Sequence, residues 1–129
     1  MLTKIGLFVG GLVVGGLAVG LWMQHSNAPK IDTPFQAVLL DSGQVYYGKV
    51  TGLGTDFPVL HDVYYIQSAQ DPQTKQVSNV LIRRGKEWHG PEETVINARH
   101  LIMVEPISPD SKVAALIAEQ EAKDQVAKK

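Results

Sequence analysis

The sequence contains no cysteine. That absence excludes disulfides, thiolate zinc sites, cysteine nucleophiles and a lipidated cysteine anchor. It also lacks an excess of charge of either sign, with 12 Lys and Arg against 13 Asp and Glu and a formal net charge of −1. Binding to nucleic acid normally needs a clearly basic face, so nucleic acid is not an expected partner. No GxSxG elbow, Walker loop, dinucleotide-binding glycine fingerprint or HExxH pattern occurs. Gly52-Leu53-Gly54 has neither a third glycine nor a following helix, and reads as a flexible loop. Serines, histidines and aspartates are present, but their presence alone does not make a triad. An enzyme is therefore not expected, and neither is a cofactor or a resident metal.

What the chain does have is a long apolar run at its start. Residues 5–23 (IGLFVGGLVVGGLAVGLWM) carry no charged or strongly polar side chain. As a helix this run would be about 28 Å long, close to the roughly 30 Å hydrocarbon core of a bilayer. A helix buried in a soluble core would show a polar stripe, and this one has none. Trp22 stands near the end of the run, where an indole suits the lipid–water interface. The run is longer than the apolar stretch of a cleaved signal peptide, and Pro29 directly follows the small residues Ser26-Asn27-Ala28. The expectation is a retained single-pass anchor over residues 1–23, with the lipid bilayer as its first partner. Lys4 and the amino terminus favour a cytoplasmic N-terminus, although Lys30 nearly balances them. The expected arrangement is an anchor in the inner cell membrane with the C-terminal domain on the extracytoplasmic side.

Three glycine pairs within the run, Gly6/Gly10, Gly11/Gly15 and Gly16/Gly20, have the GxxxG spacing that allows helix backbones to approach. Successive pairs are five residues apart and so point about 140° from one another, which breaks any single dimer stripe. They fit a helix packed among several partner helices, or a glycine-rich anchor whose spacing has no partner at all.

Residues 24–34 form a polar linker containing Pro29 and Pro34. Behind it, roughly 90 to 100 residues suffice for one core. Short β-rich runs follow: 35–40 (FQAVLL) and 44–50 (QVYYGKV), joined by the tight turn Asp41-Ser42-Gly43, then 58–67 (PVLHDVYYIQ) and 77–83 (VSNVLIR). Residues 94–97 and 101–104 make one bent strand or two short ones. Ser108-Pro109, with Asp110 behind it, reads as the cap and first turn of a helix reaching about Val126. Its apolar seam of Val113, Leu116 and Ile117 stops after about two turns, so the helix is expected to dock briefly and then fray. Together these elements predict a small β-barrel of the SH3-like or Sm-like kind over residues 35–107, about five strands, with a C-terminal helix and polar tail over 108–129.

Two constellations stand out as candidate surfaces. Tyr46-Tyr47 and Tyr64-Tyr65 are aromatic pairs on neighbouring predicted strands. Alternation places one tyrosine of each pair in the core and its neighbour on the opposite face. Two of them side by side would form a platform for a partner, or simply a stabilising cross-strand pair. The loop Trp88-His89-Gly90-Pro91-Glu92-Glu93 gathers an aromatic, an imidazole and two carboxylates behind the basic run 83–86 (RRGK). A metal-dependent or hydrolytic site there would require His89, His61 and Glu92 to converge, with His100 in reserve. The three histidines occupy different elements with no ligand spacing, so a turn held by Gly90-Pro91 is the simpler expectation.

The stretches QAVLLDSGQVYYGKV, VLHDVYYIQ and LIRRGKEWHGPEETVIN resemble an uncharacterised family of small bacterial membrane-anchored proteins. That family has a strand-turn-strand of the type NGQVYFGK, a DVYYL strand and a GxELHGPE loop. The resemblance covers about residues 35 to 118 and implies the same architecture without assigning any activity. Trp88 departs from it by standing where a smaller apolar residue is usual.

The reading that follows is a membrane-anchored, non-enzymatic interaction or accessory module with a protein partner or a homo-oligomeric state, possible as a small subunit of a membrane complex. The alternatives are an enzyme using the Trp88–Glu93 loop and an envelope ligand sensor.

Overall fold

Leu40 ends one apolar run and Val45 begins the next, and the residues between them can only turn. In a computed structural model, which describes residues 29–129, Gly43 adopts a positive φ of 84°. The turn closes through Gly43 N–H donating to the Leu40 carbonyl at 2.9 Å. It joins β1 (Gln36–Leu40) to β2 (Val45–Thr51) as an antiparallel hairpin. Then come β3 (Val59–Gln70), β4 (Val77–Arg83), β5 (Glu93–Val95), a 3-10 turn at Ala98–His100, β6 (Leu101–Pro106) and the helix α1 (Lys112–Ala127). The folded unit extends from Ile31 to Lys129. The apolar segment 5–23 and its glycines Gly6, Gly10, Gly11, Gly15, Gly16 and Gly20 lie outside the described residues. Among the described residues no helix is long and apolar enough to cross a membrane.

The domain is mainly β. Its six strands form an open antiparallel sheet in the order β4-β3-β2-β1-β6, with β5 paired to the first part of β3. Residues 94–97 and 101–104, which alternation left as one strand or two, belong to two strands separated by the 3-10 turn. Asn97 caps that turn by accepting from the Arg99 N–H.

One face of the sheet carries the core. Val38 on β1, Leu60 and Val63 on β3, and Ile96 just after β5 form a single buried cluster. Leu40, Tyr46, Val50, Leu101 and Val104 pack around it. In a regular strand only residues an even number apart share a face, yet Leu60 and Val63 are three apart. The explanation is a bulge. The β2–β3 register shifts between Tyr47 and Lys49, and Asp62 has a positive φ of 48°. The extra residue reverses the alternation behind it. At this crossing the strands also approach closely: a Cβ on Gly48 would lie 2.9 Å from the His61 carbonyl oxygen.

Among the described residues, Gln36 is the one buried polar side chain. Val50, paired to Leu60 on β3, lies beyond the first residue of β1 and has no partner on that side, and the Gln36 Oε1 accepts the Val50 N–H at 2.9 Å. The Gln36 amide nitrogen donates in turn to the Thr33 carbonyl. A buried polar side chain is thus satisfied while supplying an acceptor to a backbone that would otherwise lack one.

The helix departs from expectation at both ends. Ser108-Pro109 makes a turn instead of the cap, closed by Ser111 N–H to the Ser108 carbonyl at 3.0 Å. Pro109 takes the second position of that turn, where its fixed φ is favoured. Ser111 is the cap, accepting from the Ala114 N–H at 3.1 Å. The far end does not fray, because Asp124 forms an ion pair with Arg83 on β4. The less exposed positions Val113, Ile117, Gln120, Glu121 and Asp124 fall on one helical face. The seam continues past its apolar part in polar side chains.

Candidate functional site

The bulge at Asp62 decides which tyrosine faces which way. Tyr46 joins the core side, its ring edge-on to Tyr65 with centroids 6.5 Å apart. The Arg84 guanidinium lies over the Tyr46 ring at 5.5 Å. Tyr47 and Tyr64 are directly opposed on the other side. The predicted division of each pair between two faces is therefore present. The open platform is not, because Tyr64 is fully buried. Its ring meets Phe35 edge-on at 6.2 Å. Arg83, opposite Tyr64 in the β3–β4 register, lies over the Tyr64 ring at 6.0 Å and reaches to Asp124 on the helix. Burial pushes the Tyr64 phenol above its ordinary pKa, and its hydroxyl has no hydrogen-bond partner among the described residues.

Arg83 is the hub of this face. It pairs with Asp124 and, at 3.4 Å, with Asp62. Asp62 also accepts from Lys49 at 3.0 Å. The Lys49 hydrogen bond holds the Asp62 carboxyl below its usual pKa, against the opposing effect of burial. The Arg83 hydrogen bond does the same for Asp124, and Asp124 in return raises the Arg83 pKa. The network links strand bulge, sheet edge and helix end. It was not legible in the sequence, since Arg83 and Asp124 are 41 residues apart.

The loop after β4 is a turn, as its glycines suggested. Gly90 N–H donates to the Glu87 carbonyl at 2.8 Å, and the Glu87 carboxylate accepts the Gly85 N–H at 2.8 Å. Trp88 projects fully into solvent, and His89 is exposed beside it. His89, His61 and Glu92 are not assembled as a metal site: no group of three His, Asp or Glu placed to hold a metal ion occurs among the described residues. His100 is engaged elsewhere, its Nδ1 2.8 Å from Asp41. His61 instead lies between Thr51, with Oγ1 3.3 Å from its Nε2, and Glu93, with a carboxylate oxygen 3.8 Å from its Nδ1. This alignment follows from strand pairing, because His61 is the registered partner of Glu93. An open cleft of about 730 Å³ separates the turn from the helix end, lined by Arg83, Lys86, Glu92, Glu93, Asp124 and Lys128 among others. Its opposite charges are interleaved.

The feature that the sequence reading did not single out is the outer half of the β3–β4 hairpin. Every residue from 66 to 80 is exposed. Here the two strands remain paired for five more positions, from Ile66↔Leu81 to Gln70↔Val77, and among the described residues no other element covers either face. The signal available was the uniform polarity of Gln67, Ser68, Gln70, Ser78 and Asn79.

No family model matches the chain, and no curated protein is detectably similar to it.

Proposed function

We propose that this protein is a membrane-anchored, non-enzymatic interaction module. The observation that carries the reading is the bare two-stranded arm over residues 66–80. An isolated two-stranded ribbon is marginally stable in water at best, and this one adds nothing to the core that holds the domain together. Its use lies outside the domain's own fold. The apolar run 5–23, long enough to cross a bilayer, supports the anchor. Its flanking charges, Lys4 and the amino terminus against Lys30, favour placing the domain on the extracytoplasmic side of an inner membrane.

The finer architecture belongs to the same proposal. Ile96 shares a core with Val38 although β3 and β2 intervene in the sheet. Only Ile96, Asn97 and the 3-10 turn connect β5 to β6 on the opposite side of the sheet. Both facts favour a sheet curled toward an SH3-like barrel.

The test is mild detergent extraction of the tagged full-length protein. A stoichiometric partner or a homo-oligomer is expected, lost when charges are placed on the arm. A clean monomer would contradict the reading. The hydrolytic alternative now rests on Thr51, His61 and Glu93, not on His89. It requires His61→Ala to abolish ester hydrolysis by the purified protein. All three side chains are solvent-exposed, whereas acyl transfer favours a water-excluded site with oxyanion donors.

A further inference from the structure

Among the described residues β4 is a terminal strand of the sheet, and its outward edge is free of the devices that normally protect such edges. From Gln76 to Ile82 it has no charged residue, no proline and no glycine. Its pairing with β3 has no bulge. The opposite edge is different: β6 contains Glu105 and Pro106, and its pairing with β1 is irregular at Leu39/Leu40.

The direction of the free backbone groups follows from the ladder. Arg84 N–H donates to the Val63 carbonyl at 2.8 Å, and at the tip Asp71 N–H donates to the Gln76 carbonyl at 2.9 Å. In an antiparallel pair such bonded positions alternate. With this register, Ser78, Val80 and Ile82 turn their backbone groups toward β3. Val77, Asn79 and Leu81 turn theirs outward.

We infer that this edge pairs with the same edge of a second copy of the chain, antiparallel, across a two-fold axis at Asn79. The inference rests on the interaction-module reading above and names its partner. In that register Asn79 faces Asn79 of the second copy, Val77 faces Leu81, and Ser78 faces Val80. Each outward pair exchanges two bonds, giving about six new backbone hydrogen bonds. Every residue from 76 to 82 meets an uncharged mate, so charge opposes nothing within the ribbon. Charge first enters where Lys75 faces Arg83, and Arg83 is already neutralised by Asp124 and Asp62. A strand of another protein would need only its own free edge. The second copy in addition gives both outward apolar residues, Val77 and Leu81, an apolar mate, as a two-fold contact requires. The contact is short, so it is weak in dilute solution and strengthened by confinement of both copies on one membrane.

Because the chain has no cysteine, the register can be read by cross-linking of the full-length protein in membranes. Opposed residues of a bonded pair lie about 5.5 Å apart at Cα, within disulfide range. Asn79→Cys should oxidise to a covalent dimer, several-fold more than Val80→Cys, and adding Val77→Lys should remove the difference. Equal cross-linking at 79 and 80, or none at either, overturns the inference. A dimer that persists in detergent without cross-linking at 79 also overturns it, while leaving the interaction-module reading in place. Loss of a different bound protein on introducing Asn79→Lys does the same.

Discussion

Strand β3 passes through two surroundings. Its first half, with Leu60, Val63 and Tyr64, is buried between β2, β5 and the core. Its second half, from Ile66 to Gln70, pairs among the described residues with β4 alone and is exposed on both faces. Both halves are backbone-paired, the first to β2 and β5 and the second to β4. Hydrogen bonds alone therefore do not distinguish the body from the arm; side-chain burial does. A backbone hydrogen bond contributes only about 0.5–1.5 kcal/mol net, and removal of apolar surface from water supplies the larger driving force. The body is held by its core, whereas the arm is held by its ladder.

The largest expected effect that would break this contrast is in the core. Leu60→Ala should destabilise the domain by about 2–5 kcal/mol in denaturant unfolding. Val80→Ala in the arm should stay within about 0.5 kcal/mol. Equal losses would mean that the arm is part of the cooperative core. Gly48→Ala comes next. The added methyl meets the His61 carbonyl at 2.9 Å, and crowding of this kind costs about 1–3 kcal/mol. Thermal unfolding would measure it, and a neutral result would show that the bulge yields.

The Asp62–Arg83–Asp124 network sharpens the comparison through pH. Both carboxyls have folded pKa values below their ordinary ones. Their contribution is thus present above the ordinary carboxylate range and is lost as pH falls through the depressed values. The helix should undock in acid before the core melts, seen as early amide exchange in α1, and Arg83→Gln should remove that separate acid step. Smallest is Tyr64→Phe. It deletes a buried hydroxyl without a hydrogen-bond partner among the described residues and should be neutral or stabilising by about 1 kcal/mol in thermal unfolding.

Local chemistry made much of the fold legible. The Asp41-Ser42-Gly43 turn set the first hairpin, and residues 77–83 coincide with β4. Alternation divided the tyrosine pairs between faces but could not show which member faced the core. That depends on the bulge at Asp62, which a period-two pattern does not contain. The helix cap moved from Ser108 to Ser111 because both are good caps and the Pro109 turn consumes the first. Its docked end was hidden because a long-range ion pair, not an apolar seam, holds it. The arm was legible in part. Residues 66–70 and 77–80 have enough β-forming character to read as strand, and the polarity of Gln67, Ser68, Gln70, Ser78 and Asn79, interrupted by Ile66, Val77 and Val80, was the local sign that neither face is covered.

Amide exchange of the full-length protein in bilayer discs, with one or several copies per disc, tests the account most directly. With several copies, the outward amides of Val77, Asn79 and Leu81 should gain protection while the core amides of Val38 and Leu60 stay unchanged. Arm amides that exchange equally fast whatever the number of copies would contradict the account.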